Sequence, residues 1–418
     1  MNRFPAHHPC FDPEVRHQFG RIHLPVAPKC NIQCNFCNRK YDCLNESRPG
    51  VTSAVLQPEQ AILYLEEVLR QDPRITVVGV AGPGDPFANP KETMKTFRLI
   101  RERFPRLTIC VASNGLNVTP YLKELADLHV SHFTVTMNAT DPEVGARIYG
   151  WVRYAKSIYR GTAGAELLIA RQLETIRQLK AYGCRVKVNS ILIPGVNDRE
   201  IEKVASKVGE LGADYFNCIP VYPTAGTVFA NVPPVSDQTV HDLRERLQQY
   251  LPQMAHCTRC RADAVGLLGE ELSDDSARLL ADYSRRIPGL KQDRPYIAVA
   301  SREGFLVNLH LGEAESLLIF AQTEQGLRLV EARSTPAPGG GKERWLQLAE
   351  ILRDCRAVLA SGAGDSPRQT LSEQGIQVIE TAGIIEQVSQ AVFNGTYVPA
   401  PRRFVCGESC RGDGLGCG

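Results

Sequence analysis

The sequence predicts an α/β protein of two folded units, the first built on a mainly parallel sheet and the second a smaller α/β module. Three observations predict it. From about Arg21 to Tyr250, short apolar runs rich in Val, Ile and Thr alternate with amphipathic stretches, the pattern of βαβ units in an open sheet or a full or partial barrel. A charged stretch at 271–295, ending in IPGLKQDRP, interrupts that alternation. Beyond it, about 100 residues resume a strand and helix pattern of their own, a comfortable domain size.

Taken in order, RIHLPVA reads as the first strand, followed by ITVVGVAG, LTICVAS, HFTVTMN, RVKVNSILI and DYFNCIPVY. PEQAILYLEEVLRQ and REIEKVASKVGELG place apolar residues at helical spacing between them. The 271–295 stretch reads as a helix leading into a linker. In the second unit YIAVAS, GFLVNLHLG, LLIFAQ and LRLVEAR read as strands, and RWLQLAEILRD, AVLASG, QVIET and IIEQVSQAVF alternate helix with strand. The expected boundaries are 1–270, 271–295, 296–396 and a Cys- and Gly-rich tail, 397–418, too poor in apolar residues to fold alone.

Composition narrows the function classes. Net charge is +2 and no block of like charge stands out, which argues against nucleic-acid and membrane-surface partners. The N-terminus, MNRFPAHHPCF, lacks a signal-peptide pattern, and no apolar run approaches the roughly 20 residues of a membrane span. The expected compartment is the cytoplasm, where fourteen cysteines stay reduced and clustered thiols read as metal ligands.

Cys30, Cys34 and Cys37 supply three thiolates at Cys-x3-Cys-x2-Cys spacing just after the first strand. Zinc prefers four protein ligands, and a zinc knuckle completed by Cys43 is the structural alternative. An iron-sulfur cube can accept three and leave one iron open to a small molecule. The spacing, with Phe36 before the third cysteine, resembles the radical S-adenosylmethionine (SAM) superfamily. That resemblance implies a partial (β/α) TIM-type barrel, a [4Fe-4S] cluster on these three cysteines, and SAM chelated at the open iron and cleaved to a deoxyadenosyl radical.

Several turns at strand ends suit a SAM pocket. AGPGDP offers Gly82, Gly84 and Asp85, with glycines that admit close backbone approach to the methionine moiety. SNG offers Ser113 and Asn114, TMN offers Asn138, and KVNS offers Asn189 and Ser190, for ribose hydroxyls and carboxylate. Each segment alone is a common turn; their joint placement carries the expectation.

Six further donors stand out: Cys10 in HHPCF, His23 on the first strand, Cys43, Cys110 on an apolar strand, and Cys257 with Cys260 in CTRC. Alone, Cys110 reads as a small core residue and His23 as a core histidine, whereas Cys-x2-Cys in a reduced setting is a metal or redox pair. Together with CNIQCNFCNRKYDCLNESRPG, the Glu14, His17, Arg21 and His23 pattern, TMNATDPEVGARIY and CTRCRADAVGLLGE, these segments resemble the NifB family of nitrogenase cofactor maturases over residues 7 to 270. The resemblance implies a reaction in which two four-iron clusters, held beside the SAM cluster, receive a SAM-derived carbon as carbide. The clusters then fuse, with an added sulfur, into an eight-iron precursor of the nitrogenase cofactor. His23, Cys43 and Cys110 would bind one substrate cluster, and Cys10, Cys257 and Cys260 the other. Glu46 would be an exchangeable ligand or proton acceptor, or else a solvated loop carboxylate, and Arg261 would neutralise cluster charge or form a surface ion pair.

The second unit resembles the small cofactor-carrier domains of nitrogenase assembly, which implies a ribonuclease-H-like α/β fold; His310 is its candidate cluster contact, and Cys355 reads as core. Cys406, Cys410 and Cys417 lie in the tail and receive no role. Implied partners are an iron-sulfur cluster donor, carrier or scaffold proteins, and an electron donor such as ferredoxin or flavodoxin. The rival readings are a radical SAM enzyme acting on a peptide or small molecule, and a non-catalytic cluster scaffold.

Overall fold

Runs of β-branched residues become strands, because such side chains pack well on a pleated, half-buried surface. A computed structural model describes residues 8–45, 51–257, 259–270 and 273–396, and the chain divides into units at 1–284 and 285–418. The first unit begins with β1 (Gly20–His23), β2 (Ile32–Cys34), α1 (Pro58–Gln71), β3 (Ile75–Val80), α2 (Pro90–Arg103), β4 (Thr108–Ser113), α3 (Leu122–Asp127) and β5 (Val130–Thr136). It continues with α4 (Pro142–Ile148), β6 (Tyr149–Tyr154), β7 (Ser157–Tyr159), α5 (Gly161–Ala181), β8 (Arg185–Leu192), α6 (Glu200–Glu210), β9 (Tyr215–Pro220), α7 (Asp237–Leu247), β10 (Val265–Gly266) and α8 (Asp274–Arg285).

The principal sheet has the order β10-β1-β3-β4-β5-β8-β9. Its strands run parallel except for β10, which pairs antiparallel with β1. The edge strands β9 and β10 are not neighbours, so the curl stays an open, partial barrel. One face buries Ile22, Val78, Ile109, Phe133, Val135 and Val188 against Tyr64, Leu65, Phe97 and Ile176 of the helices. Full burial of such side chains contributes about 1.5–3 kcal/mol each. Helix starts carry local signals: Pro58 and Pro142 occupy first turns, Asp141 accepts the Glu143 N–H at 2.8 Å, and Ser236 accepts that of Thr239 at 3.1 Å.

A small sheet of β2, β6 and β7 was absent from the sequence expectation. It pairs Ile32 with Val152 and Cys34 with Tyr149, so the cysteine loop is stitched to a hairpin instead of hanging free. Long α5 ties down the strand ends beside it. Buried Gln172 donates to the Asn114 carbonyl at 3.0 Å and the Thr136 carbonyl at 2.8 Å, and Thr175 Oγ1 to the Gly115 carbonyl at 2.8 Å.

The second unit comprises β11 (Tyr296–Val299), β12 (Leu306–Val307), β13 (Ser316–Thr323), β14 (Gly326–Ser334), α9 (Lys342–Ile351), β15 (Cys355–Ala360), α10 (Asp365–Glu373), β16 (Gln377–Glu380), β17 (Gly383–Ile384) and α11 (Ile385–Phe393). Its five-stranded sheet, β14-β13-β11-β15-β16, joins an antiparallel β11-β13-β14 part to parallel β15 and β16. This is the ribonuclease-H-like α/β arrangement expected of it. GFLVNLHLG departs from its strand expectation: Leu306 and Val307 form a two-residue strand, and His310 adds an isolated bridge to Gly362. Glu303 accepts from the Leu306 N–H and Asn308 Nδ2, and Asn308 accepts from the Arg302 N–H, so side chains divert the backbone from a ladder. Among the described residues, no helix is long and apolar enough to cross a membrane.

Candidate functional site

Two pockets adjoin along the parallel strands and share Ala112: the smaller includes the C-terminal strand ends at Ser113, Asn114 and Thr136, and the larger is lined by mid-strand residues such as Arg21, Cys110 and Lys187. The smaller is lined by Cys30, Cys34, Cys37 and Cys43 with Arg39, Asn45, Gly84, Asp85, Ser113, Asn114 and Thr136. Among the described residues no three Cys, His, Asp or Glu side chains converge on a single-ion site. The thiols ring a cavity instead, as the ligands of a four-iron cube, wider than one ion, must do. A soft, all-thiol donor set of this kind fits an iron-sulfur cluster.

Neighbouring groups are arranged around the thiols. Asn45 Nδ2 lies 3.6 Å from Cys34 Sγ and 3.7 Å from Cys43 Sγ. Burial pushes the Cys30 thiol up to about 12, reinforced by Asp85, and burial with Cys37 and Cys30 beside it raises Cys34. Without a metal these thiols hold their protons; a bound cation reverses that preference.

The AGPGDP turn packs on the cysteine loop itself. Gly84 donates to the Ala27 carbonyl at 2.6 Å and Asp85 N–H to that of Lys29 at 2.8 Å. A side chain at Gly84 would overlap the Lys29 carbonyl, so this glycine serves an approach to the protein's own backbone. Buried Asp85 accepts from Phe87 N–H at 2.9 Å, Ser113 Oγ at 3.0 Å and Asn114 N–H at 2.7 Å. It is a strut joining AGPGDP to SNG. Asn114 Nδ2 donates to Asn31 Oδ1 at 2.7 Å, and Asn138 Oδ1 accepts from the Ile191 N–H at 2.8 Å. Gly82, Asn138 and Ser190 lie outside both pocket linings; Ser190 is one residue out of phase with Lys187 and Asn189, which line the larger pocket.

That larger pocket brings together Cys10, His23, Cys110, Cys257 and Cys260, five of the six further donors, with His8, Arg21, Lys187 and Asn189. Cys43 stands apart from them in the smaller pocket. Strand register explains the gathering: His23 lies opposite Gly79, and Gly79 opposite Cys110. His23 and Cys110 are two strand spacings apart, about 10 Å, and the missing side chain between them leaves their common face open. A Cβ at Gly79 would stand 2.6 Å from Cys110 Sγ and 3.3 Å from the His23 ring.

His23 Nδ1 lies 3.0 Å from the Arg261 carbonyl oxygen, which can only accept, so Nε2 keeps its lone pair for a metal. Burial and then the Arg21 guanidinium push this imidazole down to about 4, so it is neutral. Burial also pushes Cys10 up to about 11, opposed by Lys187.

Of the two roles expected for Arg261, the ion pair is the one seen, with Asp263 at 2.8 Å. The guanidinium that reaches the CTRC pair is that of Arg21. Buried on β1, it donates to Cys260 Sγ from Nη2 at 3.1 Å and Nε at 3.4 Å, and to the Gly266 and Leu267 carbonyls at 2.5 and 2.8 Å. Its place in the Glu14 to His23 pattern was the available signal. Gly79 carried none, since only register brings it between His23 and Cys110; Lys187 was read only as part of KVNS, and it lines the larger pocket.

Glu46, Cys406, Cys410 and Cys417 lie outside the described residues. In the second unit Cys355 is core, its thiol pushed up to about 12 by burial, and exposed His310 accepts the Gly312 N–H at Nδ1.

The chain matches the radical SAM superfamily over residues 24–208 and the family described as dinitrogenase iron-molybdenum cofactor over residues 294–395. It is 53% identical over 416 residues to the FeMo cofactor biosynthesis protein NifB of Chlorobaculum tepidum, covering 98% of each chain. Identity to the protein of that name from Klebsiella pneumoniae is 41% over 404 residues, covering 89% of this chain and 86% of the relative. For Azotobacter vinelandii it is 37% over 421 residues, covering 88% and 84%. With a radical SAM domain, a cofactor-type second domain and relatives matched nearly end to end, the chain belongs to the NifB family of FeMo cofactor biosynthesis proteins.

Proposed function

We propose that this radical SAM enzyme inserts a SAM-derived carbon between two [4Fe-4S] substrate clusters and fuses them, with an added sulfur, into the 8Fe-9S-C precursor of the nitrogenase cofactor. The chemistry is of methyl-transfer and hydrogen-abstraction type. The observation that carries the reading is the adjacency of two thiol-lined pockets sharing Ala112: one with the Cys-x3-Cys-x2-Cys set, the other with five further donors.

On this reading Cys30, Cys34 and Cys37 hold the resident four-iron cluster, whose reduced form supplies the electron that cleaves SAM. The chain's own residues do the rest. Asp85 and Gln172 fix the turns that face SAM, and Ser113, Asn114 and Thr136 present polar groups to it. Asn189, on the larger-pocket side, belongs to the same strand-end layer. His23, Cys110, Cys10, Cys257 and Cys260 hold the substrate clusters, with Cys43 at the boundary between the pockets.

Few, separable ligands suit clusters that must leave as one product. Cys10 and the Cys257–Cys260 pair come from the two ends of the unit, and Arg21 offsets the negative charge that thiolates and sulfides bring. Glu46 is a candidate exchangeable ligand or proton acceptor.

Residues 1–270 would thus perform the chemistry and 296–396 carry cofactor precursor, joined by 271–295, with 397–418 as a tail. The reaction calls for a cluster donor, an electron donor such as ferredoxin or flavodoxin, and acceptor or carrier proteins of nitrogenase assembly, all in the reducing cytoplasm.

Iron counting tests the pocket assignment. After anaerobic loading with iron and sulfide, a Cys257→Ala, Cys260→Ala double variant should bind less iron while still cleaving SAM. Equal iron in variant and parent would remove this pair from the ligand set.

A further inference from the structure

His8 and His23 both line the larger pocket, yet their hydrogen bonds prepare them for opposite tasks. A neutral imidazole has one N–H and one lone pair, and the partner of one nitrogen fixes the state of the other. At His23 a carbonyl holds the proton on Nδ1 and leaves a lone pair at Nε2. At His8, Nδ1 accepts the backbone N–H of Cys10 at 3.1 Å, so the proton is on Nε2.

That Nε2–H is buried in a residue 3% exposed, and no atom among the described residues accepts it. Leaving a buried donor unmade is costly, and the ring is held in place, 4.6 Å from the His132 ring and 4.9 Å from that of Phe11. What the arrangement lacks is an acceptor within the pocket. The sulfides and thiolates of an iron-sulfur cluster are acceptors, and hydrogen bonds to them tune its potential.

We propose that His8 is a positioning residue that donates its Nε2–H to a sulfur of the substrate cluster bound by Cys10, touching that cluster without ligating iron. The inference rests on the reading of this pocket as the substrate-cluster seat. Because the Cys10 N–H fixes the tautomer of His8, ligand and donor belong to one N-terminal segment and arrive together.

The test uses the full-length chain with Cys30, Cys34 and Cys37 changed to Ala, loaded anaerobically with ferrous iron and sulfide, so that iron in the larger pocket is read alone. The comparison is repeated with all cysteines intact. His8→Phe keeps a ring against Phe11 and His132 but has no N–H, and His8→Gln returns a donor. The expected result is unchanged iron per chain in His8→Phe, nitrogen coupling from His23 retained in the electron paramagnetic resonance of the reduced larger-pocket iron, and a lower reduction potential for the cluster bound by Cys10. His8→Gln should move the potential back toward the parent.

An unchanged potential in His8→Phe overturns the proposal. So does loss of the nitrogen coupling, which would make His8 an iron ligand, or a potential that His8→Gln leaves uncorrected, which would make its role structural. A parent chain that takes up no iron in this pocket overturns the pocket reading itself and His8 with it, an outcome distinct from the other three.

Discussion

At the scale of the residue, the site depends on what is missing at Gly79 as much as on its donors. An added methyl group 2.6 Å from Cys110 Sγ cannot be accommodated without moving the thiol or the strand, and overpacking of this kind typically costs about 1–3 kcal/mol. Gly79→Ala should therefore lower iron uptake in the larger pocket while the Cys30, Cys34 and Cys37 cluster still forms and cleaves SAM; full iron uptake would show that the opening is not needed. Cys34→Ala is the complementary change. It should abolish deoxyadenosine release and leave iron in the larger pocket, and release at the parent rate would remove Cys34 from the cluster.

Among the elements, α6 shows how a helix outside both pocket linings holds a neighbouring turn. Buried Glu200 at its start accepts from the Thr140 N–H at 3.0 Å, Thr140 Oγ1 at 2.8 Å and the Asp141 N–H at 3.1 Å, and pairs with Lys203 at 2.6 Å. It thereby anchors the turn that follows β5. Burial pushes its carboxyl up, but the Lys203, Thr140 and Asp141 hydrogen bonds outweigh that and hold it below the ordinary 4.5. A depressed folded value means stabilisation that is complete above 4.5 and lost as pH falls through the depressed value. Glu200→Gln should destabilise the first unit by about 1–3 kcal/mol at neutral pH. The melting-temperature gap between parent and variant should close as pH drops below 4.5; a gap constant with pH would mean that charge plays no part.

The same scale shows what the sequence could and could not reveal. The parallel strands were legible because each is a β-branched run flanked by turn residues. The β6–β7 hairpin was not, since Gly150, Trp151 and Arg153 mix polar and apolar residues over short strands whose purpose is to hold the cysteine loop. GFLVNLHLG looked like a strand because alternation cannot register the Glu303 and Asn308 side chains that fold it away. The donors were legible through motif resemblance. The alignment of His23, Gly79 and Cys110 across β1, β3 and β4 depends on register, and the proposed role of His8 on tautomer, neither of which spacing along one chain encodes.

For the molecule as a whole, each unit has its own cores, with Leu348, Val358 and Leu371 in one core of the second and Ile297, Leu359 and Val388 in the other. The second unit thus has cores of its own on which to fold separately. In the proposed reaction, the two pockets of the first unit cooperate in moving a carbon from SAM into iron-sulfur substrate. The most direct measurement loads the intact chain anaerobically with iron and sulfide, adds SAM labelled at its methyl carbon, and follows the label. Label should appear in a protein-bound, acid-releasable iron-sulfur cluster; SAM cleavage with no label in any cluster would contradict the proposed reaction.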